Sequence, residues 1–301
     1  MNTTLKTVTV ALSALNEEGN ILNFLKSVLA QKEEGFILEK ILVISDGGTD
    51  RTVELARSLN SNKIEVIEQK ERAGKAQRLN EIYKLLTSDI LVQSDADVIF
   101  ENEFVIRNLI KPIIENDKVG LCAGNPIPMK GKTFTERAVN CTVLAYAPLK
   151  KIRNISSADG KLLAFKKEFV KKMKIPNTMA DDAYAYFACI REGYDYKFVE
   201  SAVVNYRSPQ SLADQIKQNT RFISIHANMD KFFSKEIVER EYKLDSKIIY
   251  KLMAKQFLKH PILSAYIFVV NRYCKFRTVY FVGEMNSKWS VVESTKNLEN
   301  S

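Results

Sequence analysis

The sequence predicts an α/β fold: a mostly parallel sheet flanked by helices, followed by a helical C-terminal tail. Over the first hundred residues, short apolar runs alternate with segments whose apolar residues recur at helical spacing, the pattern of strands and crossover helices. Three of those runs end in acidic residues, so carboxylates gather on one edge of the sheet. Near residue 226 the pattern changes to a basic, aromatic, helical one.

Thr7 to Ala14 is the first strand, and Glu18 to Gln31 is a helix with Ile21, Leu22, Leu25, Val28 and Leu29 on one face. Lys40 to Ser45 is again a compact apolar strand, which completes one βαβ unit. The unit repeats: Asp50 to Leu59 is a helix and Ile64 to Glu68 a strand. Lys75 to Leu86 is a helix carrying Leu79, Ile82, Leu85 and Leu86, and Ile90 to Ser94 is a strand. Beyond Asp97 the alternation fades. Asn125 to Gly131 is Pro-rich and turn-like, Phe134 to Lys150 suits a long helix, and Asp159 to Phe165 is a turn into a strand. The segment MADDAYAYFACIREGYDYKF opens on Asp181 and Asp182, places Ala185, Tyr186, Cys189 and Ile190 at helical spacing, and stops at Gly193. From Ser211 a further amphipathic helix, SLADQIKQNTRFISIHANMD, leads into the tail. The chain divides into a main domain, 1–225, and a basic helical region, 226–301.

A chain of 301 residues, 46% of them hydrophobic, can bury a sizeable core. Cys122, Cys141, Cys189 and Cys274 are scattered and His226 and His260 are the only histidines, so reduced thiols and no zinc site are expected. The N-terminal apolar run is broken by threonines and leads into NEE, which does not suit a signal peptide. The longest apolar stretch, between Lys259 and Arg272, is shorter than the roughly 20 residues that cross a bilayer, so no membrane span is expected. Net charge is +9, with nine Lys or Arg between Lys150 and Lys174 against Asp159 and Glu168. From Lys231 onward there are 13 basic and 7 acidic residues. Such surfaces attract phosphates, acidic lipids or nucleic acid, or simply solvate the exterior.

Ligands of an open α/β sheet bind beyond the carboxyl ends of its strands. The exits here are LNEE after the first strand, SDGGTD after the second and SDAD after the fourth, which sets Glu17, Asp46, Asp95 and Asp97 along one rim. Like charges so gathered repel, and a divalent cation bound to a substrate diphosphate relieves them. Taken alone, the DAD step fits a solvated acidic turn better, and only its register with the two other acidic exits favours a cation. The first βα turn lacks GxGxxG and no GxxxxGK[ST] occurs, so neither the dinucleotide nor the P-loop mode applies. Asp181 and Asp182 at a helix start suit either a cap, which needs only one of them, or acid–base chemistry.

Read together, ALNEEGNI, VISDGGTDRT, RAGKAQRLN, QSDAD, DGKLLAF, ADDAYAYFACIREGYDYKFVESA and QNTRF resemble the inverting glycosyltransferases of family two, which have the GT-A fold. The resemblance runs over roughly residues 7–225. It implies a GT-A, Rossmann-like domain, a nucleotide-diphosphate sugar donor, usually a UDP-sugar, and Mn²⁺ or Mg²⁺ as cofactor. Carried over by position, Leu15, Asn16 and Glu17 border the nucleotide, Asp46 contacts the uracil and Lys75 lines the donor pocket. Asp95 lies near the ribose and beside the metal, which Asp97 ligates. Asp182 matches the catalytic base and Asp181 its acidic partner, while Gly160 leaves room for the acceptor. Gln218, Arg221 and Phe222 match the QxxRW element of processive members. Three departures stand out: Phe222 replaces Trp, Ser45 replaces an Asp, and Gly48 replaces Ser. The change at 222 and the lack of transmembrane helices favour single transfer to a lipid-linked or surface-polysaccharide acceptor.

The tail suits either a helix lying on an anionic membrane surface or one packed on the main domain, and its closing WSVVESTK also resembles a tail of some members. The resemblance thus implies a cytoplasmic enzyme, peripheral on the inner face of the membrane if the tail binds lipid, with no nucleic-acid partner. Two other readings are a sugar nucleotidyltransferase, against which ALNEE replaces the expected glycine-rich loop, and a non-catalytic nucleotide-sugar-binding protein.

Overall fold

The computed structural model describes residues 5–152, 154–177, 180–226, 229–280, 293–296 and 298. Strands β1 (Lys6–Ala14), β2 (Phe36–Asp46), β3 (Ile64–Gln69) and β4 (Ile90–Ser94) alternate with helices α1 (Ile21–Leu29), α2 (Thr52–Ser58) and α3 (Lys75–Leu85). Their pairings, β3 on β2, β2 on β1 and β1 on β4, are all parallel, as the repeating βαβ pattern predicts.

The second half continues with β5 (Val98–Phe100), α4 (Val105–Glu115), β6 (Val119–Pro128), α5 (Phe134–Ile152), β7 (Leu162–Lys166), α6 (Lys167–Val170), α7 (Asp181–Arg191), β8 (Asp195–Tyr206), α8 (Leu212–His226), α9 (Lys235–Tyr242), α10 (Ser246–Lys259) and α11 (Pro261–Tyr280). The strands form one sheet in the order β3-β2-β1-β4-β7-β6-β8-β5. β7 is antiparallel to both β4 and β6, β8 is parallel to β6, and β5 is antiparallel to β8. The sheet is therefore parallel on one side and mixed on the other.

The sequence signals fail where tertiary pairing replaces local pattern. Asn125 to Pro128 read as a turn, yet they extend β6 and pair with Val203 to Tyr206 of β8. The prolines are tolerated because β7 pairs only with Leu121 to Ala123, so the other edge of β6 is open by Pro126 and a missing N–H costs no ladder bond.

Side chains alternate across the strands, and both faces are covered. Val8, Val10 and Leu12 of β1 and Ile41 and Val43 of β2 join Phe24, Leu25, Ile106 and Leu109 on one face. Leu42 and Ile44 of β2 join Leu79, Ile82, Phe165 and Phe187 on the other. This two-sided burial makes the parallel strands read as nearly continuous apolar runs. The C-terminal helices α10 and α11 pack on α5, and α11 also packs on α8. Among the described residues, no helix is long and apolar enough to cross a membrane, and the four cysteines are free thiols. Of the WSVVESTK segment, Trp289 to Val292 lie outside the described residues.

Candidate active site

A cavity of about 300 Å³ opens where β1, β2 and β4 end. Every residue assigned to the site from sequence lines it except Asn16. Asn16 has a left-handed backbone (φ 53°) and turns its side chain away from the cavity, where its Oδ1 accepts from the Thr49 amide at 2.8 Å. This bond braces the β1 and β2 exits against each other.

Its neighbours do line the wall. The carboxylate of Glu17 accepts from Asn20 Nδ2 at 3.0 Å and is paired with the ammonium of Lys296, which also donates to the Leu15 carbonyl at 2.9 Å. Burial pushes the Glu17 carboxyl up to about 7, with Lys296 opposing the rise and Asp97 adding to it.

Asp46, the last residue of β2, is buried and fully engaged. It accepts from the amides of Ala73 and Gly74 at 2.8 and 2.9 Å and from Arg78 Nε at 2.8 Å. These bonds fold the chain back over the β2 exit, and the fit is close: a Cβ on Gly47 (φ +72°) would lie 2.6 Å from the Arg72 nitrogen. Asp46 thus organises the loop at this edge of the cavity, besides lining it. Asp46→Ala leaves the buried Arg78 with Glu81 as its one ion-pair partner among the described residues, and is expected to cost at least about 3 kcal/mol of stability in urea unfolding. Unchanged stability with altered nucleotide preference would show a base-reading role alone.

Lys75 opens α3 directly after Gly74, whose φ of +98° makes the sharp entry. Its ammonium lies 2.8 Å from Asp95 Oδ1 and 3.2 Å from Asp181 Oδ2, and so bridges the exit of β4 to the start of α7. Burial alone lowers its pKa, but Asp181 and Asp95 outweigh burial and hold it above the ordinary lysine value.

Asp97, two residues on, is half-buried, and no hydrogen bond or ion pair to its carboxylate is found among the described residues. Burial raises its pKa, as does the charge of Asp95, while Lys161, Lys296 and Lys75 oppose the rise.

On the facing wall Asp181 and Asp182 are the first two residues of α7, whose cap is Ala180. Neither carboxylate occupies the cap position itself, although Asp182 takes up a first-turn amide as a cap would. Asp181 is buried against Lys75, with Gln93 Nε2 at 3.5 Å. Asp182 accepts from the amides of Ala183 at 2.7 Å and Gly160 at 3.2 Å. Burial, then the charges of Asp181 and Asp159, push its carboxyl up to about 6. The third wall is α8, which supplies Gln218, Arg221 and Phe222, with the Arg221 guanidinium 5.4 Å from the Phe222 ring centre.

The cavity also contains residues that were not singled out. Asp159 and Lys161 pair at 3.2 Å, and the Lys161 ammonium sits 4.5 Å from the centre of the Tyr206 ring. Both flank Gly160 inside DGKLLAF, so the signal was present in the motif. Lys296 ends WSVVESTK, whose resemblance to a family tail was the signal, but nothing local places its ammonium in the cavity, because that depends on contacts across the whole chain. Asn20 donates to the Thr295 carbonyl at 3.2 Å and accepts from the Leu298 amide at 2.9 Å.

Among the described residues no group of three or more metal-binding side chains occurs. A cation held here would rest on Asp97 and Asp95 and take its other ligands from substrate and water, an arrangement Mg²⁺ and Mn²⁺ favour with phosphates.

Comparison with known proteins agrees with this geometry. The model of glycosyl transferase family 2 matches residues 9–173, more than half of the chain. Poly-beta-1,6-N-acetyl-D-glucosamine synthase of Staphylococcus aureus is 27% identical over 229 residues, 72% of this chain and 54% of that protein. A 4,4'-diaponeurosporenoate glycosyltransferase of Staphylococcus haemolyticus is 25% identical over 54% of this chain and 43% of its own. The chain thus spans about half the length of the curated relatives it matches. A mannosyltransferase from Pyrobaculum calidifontis, solved with GDP-Man and Mn²⁺, superposes with a TM-score of 0.58 at 20% identity, covering 94% of this chain and 77% of that one. Glucosyl-3-phosphoglycerate synthase of Mycobacterium tuberculosis, solved with Mn²⁺, UDP-glucose and phosphoglyceric acid, gives 0.52 at 20% identity over 73% and 78%. These likenesses identify the fold as GT-A.

Proposed function

The chain belongs to glycosyl transferase family 2, and from this premise we propose that it moves a sugar from a nucleotide-diphosphate donor to a hydroxyl of a polysaccharide or lipid-linked acceptor, with inversion at the anomeric carbon. A UDP-sugar is the donor and Mn²⁺ or Mg²⁺ the cofactor in this reading. The observation that carries it is a single cavity with a carboxylate pair on each side, Asp95 with Asp97 and Asp181 with Asp182, joined through Lys75.

The two pairs suit different tasks. Asp97 faces the cavity without a hydrogen bond or ion pair among the described residues, which fits a group reserved for a cation. A divalent ion bound there would act as a Lewis acid toward the departing diphosphate. Lys161 and Lys296 stand near Asp97 and supply further positive charge on that side. Across the cavity, Lys75 is paired with Asp181, while burial and the neighbouring charges raise the pKa of Asp182. A base that titrates near 6 is deprotonated at neutral pH, yet basic enough to draw a proton from an attacking hydroxyl.

The reading is tested by incubating the protein with a panel of nucleotide sugars, with and without Mn²⁺, and following thermal shift and nucleotide release. Metal-dependent stabilisation by one nucleotide-diphosphate sugar is the expected result. Equal stabilisation in the presence of a chelator would overturn the metal assignment.

The space above Gly160 gives a further check. A Cβ there would lie 3.5 Å from Asp182 Cβ and 3.7 Å from both Asp182 Oδ2 and Lys75 Nζ, which are ordinary contacts. Gly160→Ala should therefore fold normally and bind donor normally, while the acceptor KM rises roughly tenfold for the methyl group placed beside the base. An unchanged acceptor KM would move the acceptor away from this wall.

A further inference from the structure

The C-terminal helices settle one alternative left open by the sequence and raise another question. α11 does pack on the main domain: Ile267, Val270 and Cys274 are buried along one face, Tyr266 Oη donates to Gln215 Oε1 at 2.9 Å, and Asn219 Nδ2 donates to Asn271 Oδ1 at 2.7 Å. The opposite face carries Ile262, Phe268, Val269 and Tyr273, all exposed. On α10 only Gln256 is buried, while Tyr250, Met253, Phe257 and Leu258 face solvent. Leu258 is 84% exposed and Ile262 73%, so the patch crosses the junction of the two helices. Large apolar side chains gathered in this way mark an interaction surface.

Charge identifies the partner. From Ser246 to Tyr280 there is no Asp or Glu, against seven Lys or Arg. Lys247, Lys251, Lys255 and Lys259 recur every four residues along α10, beside its apolar stripe, and all are exposed. Arg272 and Lys275 flank the aromatic face of α11. We infer that the outer face of the α10–α11 hairpin docks on an anionic lipid bilayer, with its apolar side chains in the headgroup boundary and its lysines against acidic headgroups. A second copy of the chain fits poorly, because two acid-free cationic faces brought together would repel each other. The inner face of α11 contacts α8, whose Gln218, Arg221 and Phe222 line the cavity. Docking would therefore hold the cavity one helix away from the bilayer, within reach of a lipid-borne acceptor. The surface itself does not depend on the transfer reaction.

The test uses the full chain without donor or metal, floated with vesicles of phosphatidylcholine alone or mixed with phosphatidylglycerol. Flotation with the anionic vesicles is expected, weakened by salt as screening shortens the reach of exposed charge. The double variant Ile262→Glu with Val269→Glu, both positions exposed, should keep its melting temperature and lose at least tenfold in partitioning. Lys251→Glu with Lys255→Glu should lose binding to anionic vesicles in the same way. Absence of flotation by the unmutated chain at low salt would overturn the inference, as would binding that survives both double variants. Self-association abolished by the apolar variant, without vesicle binding, would reassign the face to contacts between copies.

Discussion

Asp182→Asn is expected to lower sugar transfer by at least about a hundredfold, within the 10²- to 10⁴-fold range of general-base contributions, while donor affinity and melting temperature persist. The carboxylate accepts two backbone amides, from Ala183 and Gly160, and the Asn side-chain oxygen can keep one of them. What Asn cannot do is take a proton. The pH behaviour separates this role from a structural one. Burial, followed by the charges of Asp181 and Asp159, raises the Asp182 pKa to about 6. Transfer in the unmutated enzyme should therefore fall as pH drops through about 6, because only the deprotonated form accepts the hydroxyl proton.

Stability should move the other way. With the folded pKa above the ordinary value of 3.8, the fold disfavours the charged form; that cost is absent below 3.8 and complete above about 6. Asn carries no charge, so the variant should be no less stable than the parent at pH 8. Asp181→Asn removes the largest charge that raises Asp182, and should shift the acid limb of the rate profile to lower pH with a smaller loss of rate. Near-normal transfer by Asp182→Asn, or a loss explained by unfolding, would sink the assignment.

The sequence made the parallel-sheet wall of the cavity legible because its residues lie at strand exits, and strand exits follow from a periodicity confined to short windows. β1, β2 and β4 end within a residue or two of where their apolar runs stop, and Glu17, Asp46, Asp95 and Asp97 fall into place with them. The mixed half was harder. β8 has its partners in β6 and β5, and much of it is half-exposed, so DYKFVESAVVNY carries no clear alternation. α4 contains Pro112, which obscures an otherwise apolar helix face. Site residues whose position depends on distant contacts were not legible at all. Lys296 reaches the cavity where Gln210 and Asp214 hold Ser294, and Asn20 holds Thr295 and Leu298, across its edge. Motif resemblance pointed to Asp46, which lines the cavity, but it could not reveal that Arg78 and two amides already occupy the carboxylate. The nucleotidyltransferase alternative falls with the family match, whereas the choice of sugar and acceptor rests on side chains that no motif specifies.

Asp97→Ala should weaken Mn²⁺-dependent binding of UDP by at least about a hundredfold, the upper end of what losing even a supporting partner of a metal ligand costs. Desolvation and the neighbouring Asp95 both raise the Asp97 pKa, so in the absence of bound cations the fold disfavours its ionised form. Asp95 is already paired with Lys75 at 2.8 Å, which leaves Asp97 as the carboxylate available to a cation. A bound divalent ion needs the ionised form, so metal-dependent affinity should rise with pH across the range in which Asp97 deprotonates. Alanine would remove both the proposed ligand and a group that would lose a proton on binding. The variant should therefore bind UDP weakly, equally with Mn²⁺ or a chelator, and with a flatter pH dependence. Its fold should persist, since no hydrogen bond or ion pair to the Asp97 carboxylate is found among the described residues. Calorimetric titration of UDP at matched Mn²⁺ concentration and several pH values measures all three expectations. Affinity equal to that of the parent would show that the cation, if one binds, rests on other residues of the rim, with Glu17 the first to examine because its carboxyl already lies against Lys296 and within the field of Asp97.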